Sequence, residues 1–300
     1  MRIVFYGTPD FAVPSLDAVA RDHEIVLVVA QPDKPAGRGM KMQAPAVAVR
    51  ARELGLPLLQ PPKIRNEEFL SEVMRVKPDC GVVVAYGKIL PKALLDIPRH
   101  GFLNVHGSVL PQWRGAAPIQ RSIEAGDKLT GVTIMRVDEE LDHGPMLRIE
   151  TTEIGADERT PQLARRLSVI GGAALSVVLR EIESGAAVET PQDHSRATLA
   201  PKIDKREGAI TFDEPAHAIY NRFRAFDPWP GITFRDLKLT DMRLAEGSGA
   251  PRTILEMDDG VVITCGDGAL RILEMQRAGK PRTPAAAIAR GLGWRVGHVL

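Results

Sequence analysis

Cysteine is scarce in this chain of 300 residues: only Cys80 and Cys265 occur, far apart in sequence and in no metal-ligand spacing. That excludes a disulfide framework and a thiolate metal site. One lies in an apolar run and the other in a strand-like segment, so both are expected to be core thiols. Long apolar runs are missing too. The longest, Ile25 to Ala30 and Val82 to Ala85, fall far short of the ~20 residues that span a bilayer, so no membrane role is expected. The opening MRIVFYGTPDF has no charged, apolar, small-residue succession of a secretory signal and runs straight into a strand, which makes the cytoplasm the expected location. Neither sign of charge dominates: the formal net charge is +1, and beyond Pro201 there are 15 basic against 13 acidic residues. No basic domain announces a nucleic-acid binder, although local clustering can still create a field. Internal repeats and low-complexity tracts are absent, and no His, Cys or carboxylate cluster has metal-ligand spacing, so no metal is expected.

What is present suits an enzyme. With 44% hydrophobic and 26% charged residues, the chain can bury a sizeable core and is long enough for two domains. Arg2 to Gly7, Ile25 to Gln31, Cys80 to Gly87, Phe102 to His106 and Val132 to Val137 are short apolar runs bounded by Gly, Pro or Asp, and read as buried strands. Helix-like stretches separate them. Alternating strand and helix predicts an α/β fold with a doubly wound, mostly parallel sheet. A further strand near Met146 to Ile154 precedes an amphipathic stretch from Pro161 to Ser184 that ends at Gly185. The expected division is a catalytic domain over 1–187, a polar linker over 188–208 and a second domain over 209–300. In the last of these, short apolar runs separated by Asp259-Gly260 and Gly266-Asp267-Gly268 predict a small β-barrel or sandwich.

Ligands of open parallel sheets bind beyond the carboxyl ends of the strands. Gly7 stands alone where a dinucleotide fingerprint needs three spaced glycines, which argues against a nicotinamide or flavin cofactor. On a strand, Asn104 and His106 stand at i and i+2 and share a face, so an amide donor and an imidazole can address one small ligand. Such a pair can hydrogen-bond a developing oxyanion and manage a proton near neutral pH. Asp142, in the turn Leu141-Asp142-His143-Gly144-Pro145 after an adjacent strand, is the carboxylate placed to reach the His106 ring, with Asp138, Glu139 and Glu140 as competitors and His143 as an alternative imidazole. No nucleophile elbow occurs, so direct attack by a bound amine is simpler than a covalent acyl-enzyme. Lys34, Arg38 and Lys41 lie on a glycine-containing loop that could grip an anion at the edge of the site.

The segments FYGTPDFAVPSL, AQPDKPAGRGMK, VVAYGKILPKALL, NVHGSVLPQWRGAAPIQRSI, TGVTIMRVDEELDHGPML, RAFDPWPG and GDGALRI, in that order over essentially the whole chain, resemble the folate-dependent formyltransferase family, on its methionyl-tRNA branch. The run from Asn104 to Pro111 followed by the Leu-Asp-x-Gly turn carries the family; the AGRG loop, the linker and the C-terminal domain carry the branch. The resemblance implies a Rossmann-like catalytic domain and a C-terminal barrel of OB type, acting as a monomer. It implies 10-formyltetrahydrofolate as donor, methionine on initiator tRNA as acceptor, and no metal. By the same resemblance Asn104, His106 and Asp142 are catalytic. Ser108, Val109, Leu110 and Pro111, with Tyr86 and Gly87, contact the folate, and Arg38, Lys41, Lys202, Lys205 and Arg206 contact tRNA. The chain departs from the family at Val109 and Gln112, where leucine and arginine are common, and in a shorter loop near Gly247 to Arg252. Two other readings fit the residues: a formyltransferase for a small amine such as glycinamide ribonucleotide or an amino-sugar nucleotide, and a noncatalytic folate- or RNA-binding module that kept the fold.

Overall fold

The computed structural model describes residues 1–36 and 41–300; Arg38 lies outside the described residues. The chain divides into two compact units. The first comprises Met1–Pro118, Leu129–Glu153 and Ala164–Ala200, and the second Ile119–Lys128, Ile154–Leu163 and Pro201–Leu300.

In the first unit the strands are β1 (Arg2–Gly7), β2 (Glu24–Val29), β3 (Lys34–Ala36), β4 (Lys41–Gln43), β5 (Leu58–Leu59), β6 (Cys80–Val84), β7 (Phe102–His106), β8 (Arg114–Gly115), β9 (Leu129–Arg136), β10 (Met146–Glu153) and β11 (Leu199–Ala200). Seven form one sheet in the order β10-β9-β7-β6-β1-β2-β5. From β5 to β7 all neighbours are parallel, and β1 and β2 are buried along all but their first residue, the pattern of strands covered on both faces. The helices α1 (Val13–Asp22), α2 (Ala46–Glu53), α3 (Glu67–Arg75) and α4 (Lys92–Leu95) lie in the connections between these strands. Aromatic rings centre one layer of the core, where Tyr6 packs edge-on against Tyr86 at 5.3 Å and Phe102 at 5.6 Å between ring centroids.

The sheet is not parallel throughout. β9 runs antiparallel to β7, and β10 antiparallel to β9. For β10 the reason is local: a turn, rather than a crossover helix, joins it to β9, so the chain doubles back. The 137–145 turn leaves β9 beside the amino end of β7, where the Val137 N–H donates to the Phe102 carbonyl, and folds over so that Asp142 within it reaches Asn104. α5 (Pro118–Ala125) precedes β9, and α6 (Thr160–Ser184) follows β10. Though no uninterrupted apolar run is long, α6 has the length and composition to cross a membrane. Here it is a core helix: Leu167, Leu175, Val178 and Leu179 are wholly buried.

The polar segment expected as a linker over 188–208 is divided between the units. Up to Ala200 it belongs to the first, where β11 pairs in parallel with β8. Hydrogen bonds rather than an apolar face hold it there, which is why periodicity reads it as linker.

The second unit is an antiparallel sheet of β12 (Ile232–Phe234), β13 (Leu237–Ala245), β14 (Ile254–Glu256), β15 (Val261–Thr264), β16 (Ala269–Arg277) and β17 (Thr283–Pro284), in the order β12-β13-β16-β15-β14 with β17 on β16. Besides α5, nearly all of which falls in this unit, it carries α7 (Ala216–Ala225) and α8 (Ala285–Gly291), and its core includes Phe212, Ile219, Leu239 and Ile272.

Candidate active site

Asn104 and His106 leave β7 on the same face and converge on one carboxylate. Asn104 Nδ2 donates to Asp142 Oδ1 at 3.2 Å, and His106 Nδ1 lies 3.6 Å from Asp142 Oδ2. The other ring nitrogen, Nε2, donates to the Trp113 carbonyl at 2.9 Å. A carbonyl can only accept, which places a hydrogen on Nε2 and turns Nδ1 toward the carboxylate. Oδ2 also accepts the backbone N–H of Gly115 at 2.9 Å. Asn104 Nδ2 has a second hydrogen with no partner among the described residues. His106 is buried at 5% exposure, while Asp142 keeps 15% of its side chain accessible.

Two glycines make this geometry possible. A Cβ on Gly144 would lie 2.2 Å from the Arg136 carbonyl oxygen, so the turn can approach β9 only without a side chain there. Gly115 has φ 126°, and a Cβ would meet the Ala200 oxygen at 2.7 Å. Asp142 itself is left-handed at φ 48°, a sparsely populated region for a residue with a Cβ.

Asp138 and the alternative imidazole are engaged with each other, and Glu140 lies 3.9 Å from the same ring. His143 Nδ1 donates to Asp138 Oδ2 at 2.9 Å, and its ring stacks on His194 with centroids 4.1 Å apart. Among the described residues no group of three or more His, Cys, Asp or Glu could hold a metal ion.

The residues linked to folate by resemblance fall into two kinds. Ser108 is wholly buried, its hydroxyl donating to the Gln112 carbonyl at 2.6 Å, and Leu110 is buried as well; only Val109 and Pro111 keep accessible surface. Thr133 Oγ1 braces this loop, donating to Ser108 O at 2.7 Å and accepting from Leu110 N at 3.1 Å. The Tyr86 side chain belongs to the core, where burial pushes its phenol up to about 12, and its backbone carbonyl accepts from Thr8 and Gln31. Gly87 is exposed at φ 82°, and the residues after it, Lys88 and Ile89, help line a cavity of about 550 Å³ with Lys63, Ile64, Arg65 and Asn66. Of the residues linked to tRNA, Lys41, Lys202, Lys205 and Arg206 are exposed. Arg206 pairs with Asp204 at 3.1 Å, and Lys205 and Arg206 sit in a short 3-10 turn capped by Asp204.

Sequence reasoning did not single out Gln192 or Arg114. Gln192 Nε2 donates to the carbonyls of Asp142 at 2.9 Å and Gly144 at 2.8 Å, and its Oε1 accepts from Arg114. Both lie in polar stretches with no periodic signal.

Residues 1–179 match the formyl transferase family and residues 202–293 its C-terminal domain. The methionyl-tRNA formyltransferase of a Thermus thermophilus strain is 45% identical, over 98% of this chain and 97% of its own length. That of an Anaeromyxobacter dehalogenans strain is 46% identical, over 97% of each. Among solved structures, an N-formyltransferase from Helicobacter canadensis, in complex with folinic acid and dTDP-3-aminofucose, superposes with a TM-score of 0.71 at 16% identity, covering 90% of this chain and 98% of that one. HypX from Aquifex aeolicus in complex with tetrahydrofolic acid superposes with a TM-score of 0.63 at 20% identity, covering 99% of this chain and 48% of that one. Likeness to the solved structures at these identities concerns the fold.

Proposed function

This chain belongs to the formyl transferase family, and we propose that it transfers the formyl group of 10-formyltetrahydrofolate to the α-amine of methionyl initiator tRNA, as a cytoplasmic monomer. The observation that carries this reading is a likeness to methionyl-tRNA formyltransferases that spans both domains rather than the catalytic one alone. Sugar-directed relatives share the fold at much lower identity.

The chemistry needs no covalent enzyme intermediate. The neutral α-amine attacks the formyl carbon on folate N10, forming a C–N bond and an oxyanion. The second Nδ2 hydrogen of Asn104 is the donor for that oxygen, and it is held in advance because the first is committed to Asp142. His106 Nδ1, facing Asp142 Oδ2, lies where a proton leaving the amine can be held between ring and carboxylate. The C–N10 bond then breaks and N10 takes a proton, which balances the transfer. His106 and Asp142 act on that proton as a pair. For the donor, Gly87, Ile89, Val109 and Pro111 offer accessible backbone and apolar surface, and Lys63, Arg65 and Lys88 around the cavity suit an anionic tail. Exposed Lys41, Lys202, Lys205 and Arg206 are the candidate phosphate contacts, with Arg38 assigned by resemblance alone.

The test is an acceptor panel. Labelled 10-formyltetrahydrofolate is offered with methionyl initiator tRNA, methionyl elongator tRNA, uncharged initiator tRNA, glycinamide ribonucleotide and an amino-sugar nucleotide. Label on methionine of the initiator tRNA alone supports the proposal, and label on a small amine overturns the assigned acceptor.

A further inference from the structure

Asp142 sits in the left-handed region at φ 48°, which residues with a Cβ populate sparsely although Asp tolerates it better than most, and contacts from outside the turn hold it there. Gln192 does so from both sides. Its amide nitrogen has two hydrogens, and both are donated into the turn, to the carbonyls of Asp142 and Gly144. Its amide oxygen accepts two hydrogens from one arginine: Nε of Arg114 at 3.1 Å and Nη2 at 2.6 Å. Arg114 is followed in sequence by Gly115, whose N–H donates to the Asp142 carboxylate. The contacts therefore close a ring that runs from the Asp142 backbone through Gln192, Arg114 and Gly115 to the Asp142 side chain.

The same strip of chain also sets the imidazole. Thr198, six residues beyond Gln192, accepts the Trp113 N–H on its hydroxyl and the Arg114 N–H on its carbonyl, each at 2.9 Å. Trp113 is the residue whose carbonyl takes His106 Nε2. Displacing the 192–200 strip would thus move both members of the His106–Asp142 pair.

Two features separate this ring from ordinary packing. Arg114 is buried at 8% exposure, yet among the described residues its guanidinium acceptors are uncharged: Gln192 Oε1 and, at 2.8 Å, His194 Nδ1. Burying a cation without an anion is unfavourable. In addition, Gln192, itself 5% exposed, uses all of its hydrogens on one turn, the one that carries the carboxylate.

We infer that Gln192, backed by Arg114, is a positioning residue for the formyl transfer reaction: it fixes the Asp142 turn so that the carboxylate meets Asn104 and His106. This inference rests on the function proposed above. Gln192 touches no substrate in this scheme and acts through Asp142.

Gln192→Glu separates positioning from packing. A carboxylate of the same shape pairs with buried Arg114, so folding stability is kept, but it has no hydrogen for the Asp142 and Gly144 carbonyls and repels both. With the full-length chain, kcat for formyl transfer to methionyl initiator tRNA is expected to fall ~10²-fold, the scale of a misplaced reacting group. KM for donor and acceptor should stay within about threefold, because substrate contacts are untouched, and the melting temperature should not fall. The ¹⁵N ring shifts of His106, assigned by their disappearance in His106→Gln, should move. Should Gln192→Glu fail to fold, Gln192→Asn takes its place, since its amide is one methylene too short to reach both carbonyls; the same kcat, KM and His106 shift results are expected, without the unchanged melting temperature. An unchanged kcat, or a rise in KM alone, overturns the inference. If the wild-type chain formylates no methionyl-tRNA, the proposed function falls, and the positioning role is decided by the His106 shifts, which support it if they move and overturn it if they do not.

Discussion

Asn104 donates one hydrogen of its amide to Oδ1 of Asp142 at 3.2 Å. A carboxylate can only accept, so this contact identifies the amide nitrogen end as the one that faces Asp142 and leaves the remaining hydrogen free to donate. The amide is oriented before substrate arrives, the condition under which a hydrogen-bond donor contributes most to a transition state.

Replacing Asn104 by Asp sets two carboxylates against each other and removes the donor proposed for the oxyanion. A fall in kcat of about 10²–10³ is expected, with smaller change in KM. Single-turnover transfer of labelled formyl measures it, and a rate within twofold of wild type would contradict the role.

Gly144→Ala should cost stability as well as activity. Its Cβ would stand 2.2 Å from the Arg136 carbonyl, a backbone atom that cannot swing aside. A loss of about 1–3 kcal/mol is expected from such overpacking, read from denaturant unfolding. An unchanged midpoint would show that the turn has room to move away from β9.

Acid sensitivity should have a traceable origin at Asp79, which ties the start of β1 to the chain entering β6. The Arg2 backbone N–H, donated at 2.7 Å, holds this carboxyl below the usual carboxylate range, with nearby Arg99 adding to the effect. Because the folded-state pKa is lowered, the stabilisation is complete above the unfolded-state value and is lost as pH falls through the folded-state one. The stability gap between wild type and Asp79→Asn, measured by urea unfolding from about pH 7 to about pH 3, should therefore narrow toward acid. A gap constant over that range would show that the carboxylate charge contributes nothing.

How much of this was legible in the sequence depends on which force carries each part. β1 and β7 occupy the stretches Arg2–Gly7 and Phe102–His106 that their short apolar runs mark out; β1 reads as near-continuous hydrophobic residues because it is covered on both faces, and β7 does so except at Asn104 and His106. The spacing of Asn104 and His106 likewise fixes a shared face. Less was legible where hydrogen bonds replace apolar burial. Gln192 and Arg114 lie 78 residues apart in polar segments, and nothing in either segment points to the other. In β13 the register slips around Asp241, so the alternation that would have marked the strand breaks midway. Tyr86 shows a different limit. Resemblance of a segment links it to folate without saying which atoms would make the contact, and its side chain turns into the core.

The central claim is that the carboxylate of Asp142 takes part in moving the formyl group. Its most direct test is rapid-quench transfer of labelled formyl to methionyl initiator tRNA at saturating donor and acceptor, comparing wild type with Asp142→Asn. The variant keeps the size of the side chain but loses the charge that faces His106 Nδ1 and one of the two acceptors that Asn104 and Gly115 use. A rate at least ~10²-fold lower with both substrates still bound is the predicted result; a rate equal to wild type would contradict it.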